Sequence, residues 1–312
     1  MRAHFLRAIL VAAFLSVFSA YGQVKKPVGA QFREIVIVTQ PKAIVWIDGV
    51  RFGRTGADGR MVVKTISSGP HTLRLRADGF KDKTQTITAA QKGEVSVTLI
   101  TTTDEAELAY QEAERLIGAD REKAAAEYRR AIAARPTYAD AYLGLARVTS
   151  EAGDLDAAEK AIAALRKLKP GHAEASAIEG RIHKDNGDEA KAIASFKRAI
   201  TEGKGYQPEA YTGLGLLYKD KAEGLAGSGD TETESAHYAE AAKNLKIALK
   251  QLSGAPDAVV IYQLLGLTYE RQKKYPEAIA IYEEFLRLFP ETPEATSVRS
   301  FIVQLKKDMN ER

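Results

Sequence analysis

Arg147 and Arg181 stand 34 residues apart, and Lys184 and Lys219 share one equivalent position three residues further along in successive units. Residues three apart on a helix are neighbours, so Arg181 and Lys184 are expected side by side. Stacking of like units then lines up Arg147, Arg181, Lys184 and Lys219 as one basic strip, flanked by Glu151, Asp185 and Asp220. A guanidinium holds a carboxylate through two parallel hydrogen bonds, so such a strip would grip an acidic peptide or a chain end. The alternative is a wet helix face whose cations pair with nearby acids and contribute little.

Other chemistry is not suggested. Gly213-Leu214-Gly215 falls inside a helical stretch rather than after a strand, so it is not a nucleotide fingerprint. Gly227-Ser228-Gly229 lacks the spacing of a nucleophile elbow. His71, His172, His183 and His237 are too far apart in sequence for helical zinc ligation. There is no acidic calcium loop. With no cysteine, no thiolate metal framework or redox motif exists. The expectation is a non-catalytic chain with no cofactor and no metal.

The elements that position the strip announce themselves by period. Ala124, Ala158 and Ala192 recur every 34 residues, as do Tyr128, Ile162 and Phe196, and Ala131, Leu165 and Ala199. Pro136 and Pro170 share the spacing. A fixed period of roughly 20–50 residues marks stacked units, none of which buries its apolar face alone. A first helix is expected after Asp104, with acids in its first turn. An α-helical solenoid of about five repeats follows over 104–312, closed by an amphipathic helix from Thr292 to about Lys307. The fourth unit is longer than the rest. Its extra segment near 221–236, rich in Gly, Ser and acid, reads as a mobile loop, or as room into which the flanking helices extend.

Residues 34–100 read as a small β-sandwich. Glu34–Thr39, Ala43–Ile47, His71–Arg76, Lys83–Thr88 and Glu94–Leu99 are strand candidates, and Asp48-Gly49 and Asp78-Gly79 are turns. In His71–Arg76, Leu73 and Leu75 share one face and Arg74 and Arg76 the other. Trp46 is expected to pack on the sheet and His71 to cap a strand edge; contact with a ligand is the alternative for both.

This β region resembles the PEGA domain through Pro41, Ala43, Val45, Ile47, Asp48-Gly49, Gly53, Thr55, Gly69, His71, Leu73, Leu75, Gly79-Phe80 and Val95-x-Val97-x-Leu99. It departs from that family at Pro41-Lys42-Ala43, which lacks the naming glycine, and at Gly56, where proline is common. The resemblance implies an exported envelope module. The 34-residue units resemble tetratricopeptide repeats. The fifth, with Tyr262, Leu265, Gly266, Tyr269, Ala278, Tyr282, Phe285 and Pro290, matches best, and the first departs at Glu112. That resemblance implies paired antiparallel helices, the first of each pair lining a concave face that takes a protein or peptide partner. The asparagines of the family's carboxylate-gripping sites are missing here.

At the front, Arg2 and Arg7, the apolar run Ala8–Phe18 and Ala20-Tyr21-Gly22 read as an export signal over 1–22, with an uncleaved membrane anchor as the alternative. Residues 23–33 read as a flexible leader. Net charge is +4 overall, but residues 23–100 carry 13 basic against 6 acidic side chains. Outside the cytosol such a basic module suits anionic envelope polymers or acidic proteins better than nucleic acid; the alternative is solvated charge that protects sheet edges. The expectation is a periplasmic or cell-surface scaffold that binds a partner in the array's groove. The rival is polymer attachment through the β domain, with the array as spacer.

Overall fold

Among the described residues, short alternating runs broken by Gly and Asp produce seven strands: β1 (Phe32–Val38), β2 (Ile44–Ile47), β3 (Val50–Arg54), β4 (Arg60–Ser67), β5 (His71–Arg76), β6 (Lys83–Ile87) and β7 (Gly93–Ser96). The computed structural model describes residues 32–252 and 254–311. The expected export signal, and the leader up to residue 31, lie outside the described residues. β1 begins at Phe32, two residues inside the stretch read as leader.

The strands form two sheets, ordered β4-β1-β7 and β3-β2-β5-β6. β7 runs parallel to β1, and the other pairings are antiparallel. Ile35, Ile37, Val45, Leu73, Leu75 and Val95 close the space between the sheets. Asp48 and Gly49 both take positive φ in the two-residue link from β2 to β3, the conformation that makes Asp-Gly the favoured hairpin turn.

Eleven helices follow among the described residues. They pair as α1 (Glu105–Leu116) with α2 (Arg121–Ala134), α3 (Ala139–Glu151) with α4 (Leu155–Leu168), and α5 (Ala173–Asp185) with α6 (Glu189–Glu202). α7 (Pro208–Gly224) pairs with α8 (Thr231–Leu252) and α9 (Ala258–Arg271) with α10 (Tyr275–Leu288), and α11 (Ala295–Asn310) ends the row. Asp104, Asp120 and Asp154 cap helix N-termini by accepting backbone N–H groups.

The 34-residue period is a packing period. Tyr128 and Phe196 occupy the same place in the second helices of their units, and both are buried. A Cβ on Gly180 would stand 2.5 Å from the Phe196 ring, and one on Gly213 would stand 2.3 Å from it. The ring therefore fills two backbone notches, one in its own unit and one in the next. Tyr128 meets Gly144 in the same way, at 2.3 Å.

The long fourth unit is mostly helix. α7 has 17 residues and α8 has 22, against 12 to 14 in each of the other helices of α1 to α10. Only 225–230 remain between them, so the flanking helices extend into the segment instead of leaving a long loop. Asp230 accepts the Thr233 N–H at 3.1 Å and starts α8.

The sandwich lies back on the array. Gln111 of α1 accepts the Gly79 N–H and donates to the Phe80 carbonyl, both at 2.8 Å. Asp82 N–H donates to Glu107 of α1 at 3.0 Å. At the far side, Thr65 Oγ1 donates to the Gly254 carbonyl at 3.3 Å, and the sandwich core runs on into the apolar surface of α8 and α9. Tyr206, Gln251 and Leu252 line a cavity of about 20 Å³ with Ile47, Val50, Phe52 and Ile66.

Candidate functional site

Of the four expected cations, Arg147 and Arg181 meet over one carboxylate, and Lys184 and Lys219 each pair with an acid of their own. Arg147 on α3 grips Glu209 on α7 with both terminal guanidinium nitrogens, at 2.9 and 3.3 Å. Arg181 on α5 shares the same carboxylate at 3.5 Å and reaches Glu151 at 3.8 Å. Lys184 pairs with Asp220 at 3.0 Å, and Lys219 with Glu223 at 2.7 Å. Of the acids expected to flank the strip, Glu151 and Asp220 join it directly. Asp185 is exposed and makes no ion pair among the described residues.

Glu209 is the organising residue, and it was not among those expected. Burial alone would push its carboxyl up; the Arg147 and Arg181 guanidiniums outweigh that and hold it below the usual carboxylate range. Arg147 is raised in turn, chiefly by the Glu209 charge. Arg181 Nη2 is buried and has no hydrogen-bond partner among the described residues, leaving an unused donor in the strip. The signal for Glu209 was its place behind Pro208 in the first turn of a helix, where acids are favoured. Glu223 was signalled by its spacing of four from Lys219.

A second polar cluster sits between the second and third units. Where the fourth unit has Tyr211, Leu214 and Tyr218, and the fifth Tyr262, Leu265 and Tyr269, the third has Ser176, Glu179 and His183. Ser176 Oγ is buried; it accepts from Arg166 at 2.7 Å and Arg198 at 3.0 Å and donates to Glu202 at 2.5 Å. Arg166 holds both oxygens of Glu179, at 3.1 and 2.9 Å, and Arg198 also bonds Glu179. An open cleft of about 340 Å³ lies against Glu159, Arg166, Glu179 and His183.

On the sandwich, Trp46 lies beneath the guanidiniums of Arg74 and Arg76, each 5.4 Å from its ring. Arg76 is only 3% exposed, because α1 covers it: the guanidinium stands 4.2 Å from the centre of the Tyr110 ring and bonds Asp82 at 2.6 Å with two nitrogens. The arginine face of β5 is thus an internal contact rather than a solvated one. His71 Nδ1 and Asp48 Oδ2 are 2.6 Å apart, and the other ring nitrogen is 2.9 Å from the Ser67 carbonyl, so this ring ties the β2–β3 turn to β4.

Residues 32–102 match the PEGA domain family. Residues 118–182, 173–202 and 228–293 match tetratricopeptide-repeat families. The chain is a PEGA domain followed by tetratricopeptide repeats. The array is similar to that of yeast Tom70, with a TM-score of 0.52 at 17% identity over 67% of this chain and 41% of that one. MamA gives a TM-score of 0.42 at 19% identity, covering 62% of this chain and 96% of its own. PilF of Pseudomonas aeruginosa gives 0.43 at 21% identity, over 55% and 69%. The chain spans about two fifths of the Tom70 chain, and at these identities the likeness is one of fold. No curated protein matches. The families found here, PEGA and tetratricopeptide, are typically non-catalytic, and no enzyme family was found. Repeat arrays of this kind bind protein or peptide partners.

Proposed function

We propose that this protein is a non-catalytic scaffold that takes an acidic segment of a partner protein along α3, α5 and α7. The observation that carries this reading is the shared carboxylate of Glu209 between Arg147 and Arg181, with Arg181 Nη2 left unused. Glu209 occupies the place an incoming carboxylate would take. A partner's Asp, Glu or chain end competes for the same two guanidiniums in the bidentate geometry they favour. Capture of partners from native extract by the full chain tests this. Capture should fall with Arg147→Glu plus Arg181→Glu, and unchanged capture by a folded double variant removes the assignment.

The proposed setting is the bacterial cell envelope, periplasmic or at the surface. It rests on Arg2, Arg7, the apolar run after them and Ala20-Tyr21-Gly22. N-terminal sequencing of the protein from fractionated cells tests it: a start near residue 23 in the exported fraction is expected, and intact cytosolic protein contradicts it.

A second reading has one observation in its favour. Lys42, Arg51 and Arg54 are exposed on the β2–β3 side of the sandwich and make no ion pair among the described residues. They offer an anionic envelope polymer a place to attach. Co-sedimentation with such a polymer, lost on changing all three to Glu, would support it.

A further inference from the structure

We propose that the PEGA domain is a splint: it ties the first two repeats to the fourth across a polar joint at the third, and so fixes the curvature of the array.

The joint is visible in the packing. The apolar core of the first two repeats runs as far as Ile178 and Ile182 of α5. A separate small cluster, around Phe196 and Leu214, follows, and the apolar packing of α8 onward belongs to a third. Just before that break, where the second repeat meets the third, the large apolar side chains of the fourth and fifth repeats give way to Ser176, Glu179 and His183. An ion network of Arg166, Arg198, Glu179 and Glu202 fills the place, beside an open cleft. Apolar burial stabilises an interface in proportion to area, whereas a mostly buried ion network must offset the desolvation of its charges and holds less well than apolar packing of similar volume. Units of a stacked array touch chiefly their neighbours, so a weak junction at the third leaves the Arg147–Glu209 pair and the PEGA domain to set the angle between the two halves.

The splint has one foot on each side. On the N-terminal side, Arg74 bonds Asp140 of α3 at 3.0 Å, Arg76 lies on Tyr110 of α1, and Gln111 clasps the turn at Gly79-Phe80. On the C-terminal side, Leu252 joins the cluster that contains the sandwich core, and Thr65 bonds the Gly254 carbonyl. Gly254 has φ +77°, and a Cβ there would stand 2.8 Å from the Thr65 side chain, so that side chain packs directly on the Gly254 backbone. Gln251 fastens this foot to the start of α7: its side chain accepts the Gln207 N–H at 2.9 Å and donates to the Gly205 carbonyl at 2.7 Å. Among the described residues, no hydrogen bond runs from the sandwich to α4, α5 or α6. The domain therefore bridges the joint without resting on it. Arg147 and Glu209 come from opposite sides of the same joint, so the angle held by the splint also sets whether that pair stays closed.

The test needs no partner. The chain has no cysteine, so spin labels go only where they are placed. Arg129→Cys on α2 and Lys246→Cys on α8 put labels on exposed sites on opposite sides of the joint. The full-length protein should give one narrow distance distribution. Arg74→Glu at one foot, or Thr65→Arg at the other, should broaden and shift it, while a pair on one side only, Lys246→Cys with Arg287→Cys, stays narrow. A distribution unchanged in both variants overturns the splint, as does equal broadening of the one-sided pair.

Discussion

The Arg74 guanidinium on β5 and the Asp140 carboxylate in the first turn of α3 meet at 3.0 Å, 66 residues apart in sequence. Arg74 also bonds Asp82 at 2.8 Å, and Asp82 holds the buried Arg76. One carboxylate on the β5–β6 connection thus anchors both arginines by which the PEGA domain reaches the first two repeats.

Asp82→Ala should be costly. It leaves Arg76 buried without its carboxylate, and breaking such a pair costs about 3–5 kcal/mol. Urea denaturation of the full chain should show a lower midpoint; an unchanged midpoint would mean that Arg76 does not need this partner.

Acid should weaken the same contact. Burial alone would raise the Asp82 carboxyl, but Arg76 and Arg74 outweigh it and hold it below the usual carboxylate range. A carboxyl depressed by folding stabilises the protein above its unfolded value, about 4, and that stability is lost as pH falls through the folded value. Wild type should therefore lose more stability than Asp82→Asn as pH drops below about 4. Glu209 is depressed too and should leave the variant a residual slope. Melting temperatures measured across pH 2–7 read both.

Gly266→Ala should destabilise where Gly171→Ala does not. A Cβ on Gly266 would lie 2.2 Å from the Tyr282 ring, whereas one on Gly171 meets nothing within 4 Å. Overpacking of this kind costs about 1–3 kcal/mol. Thermal melts of the two variants should separate, and equal melts would show that the ring moves aside freely.

Glu209→Gln should trade stability for binding. Its side chain and that of Arg147 are 28% and 34% exposed, so the pair contributes no more than about 1 kcal/mol. Freed of the carboxylate, Arg147 and Arg181 should bind a fluorescent polyglutamate peptide more tightly, with steeper loss in salt. Fluorescence anisotropy reads the change; equal or weaker binding by the variant would place the acid-gripping site elsewhere.

Much of the fold is written locally. The recurrence of Ala124, Ala158 and Ala192 reports a position where helices touch, and helix contact is periodic in sequence. Asp48-Gly49 makes its turn from its own backbone preferences. β3 and β4 were not expected, because Gly53 and two arginines interrupt the short β3, and Arg60 and Lys64 break the apolar pattern of β4. The long fourth unit reads as loop from its glycines and serines, yet Asp230 begins a helix there. Arg76 alternates as a solvent-facing residue would; only the return of the sandwich onto α1 buries it, and no local pattern carries that information. The strip was legible in part: the cations repeat with the array, but Glu209, which joins two of them, comes from a helix two places along. The polar joint stood in the sequence as Ser176, Glu179 and His183 at positions that are large and apolar in the fourth and fifth repeats.

The most direct measurement of where a partner binds is site-specific photocrosslinking in native extract. A photoreactive residue at the exposed Asp185, next to Lys184, should capture the partner, and one at Lys42 on the sandwich should not. Capture from position 42 alone would contradict the groove and place binding on the PEGA domain.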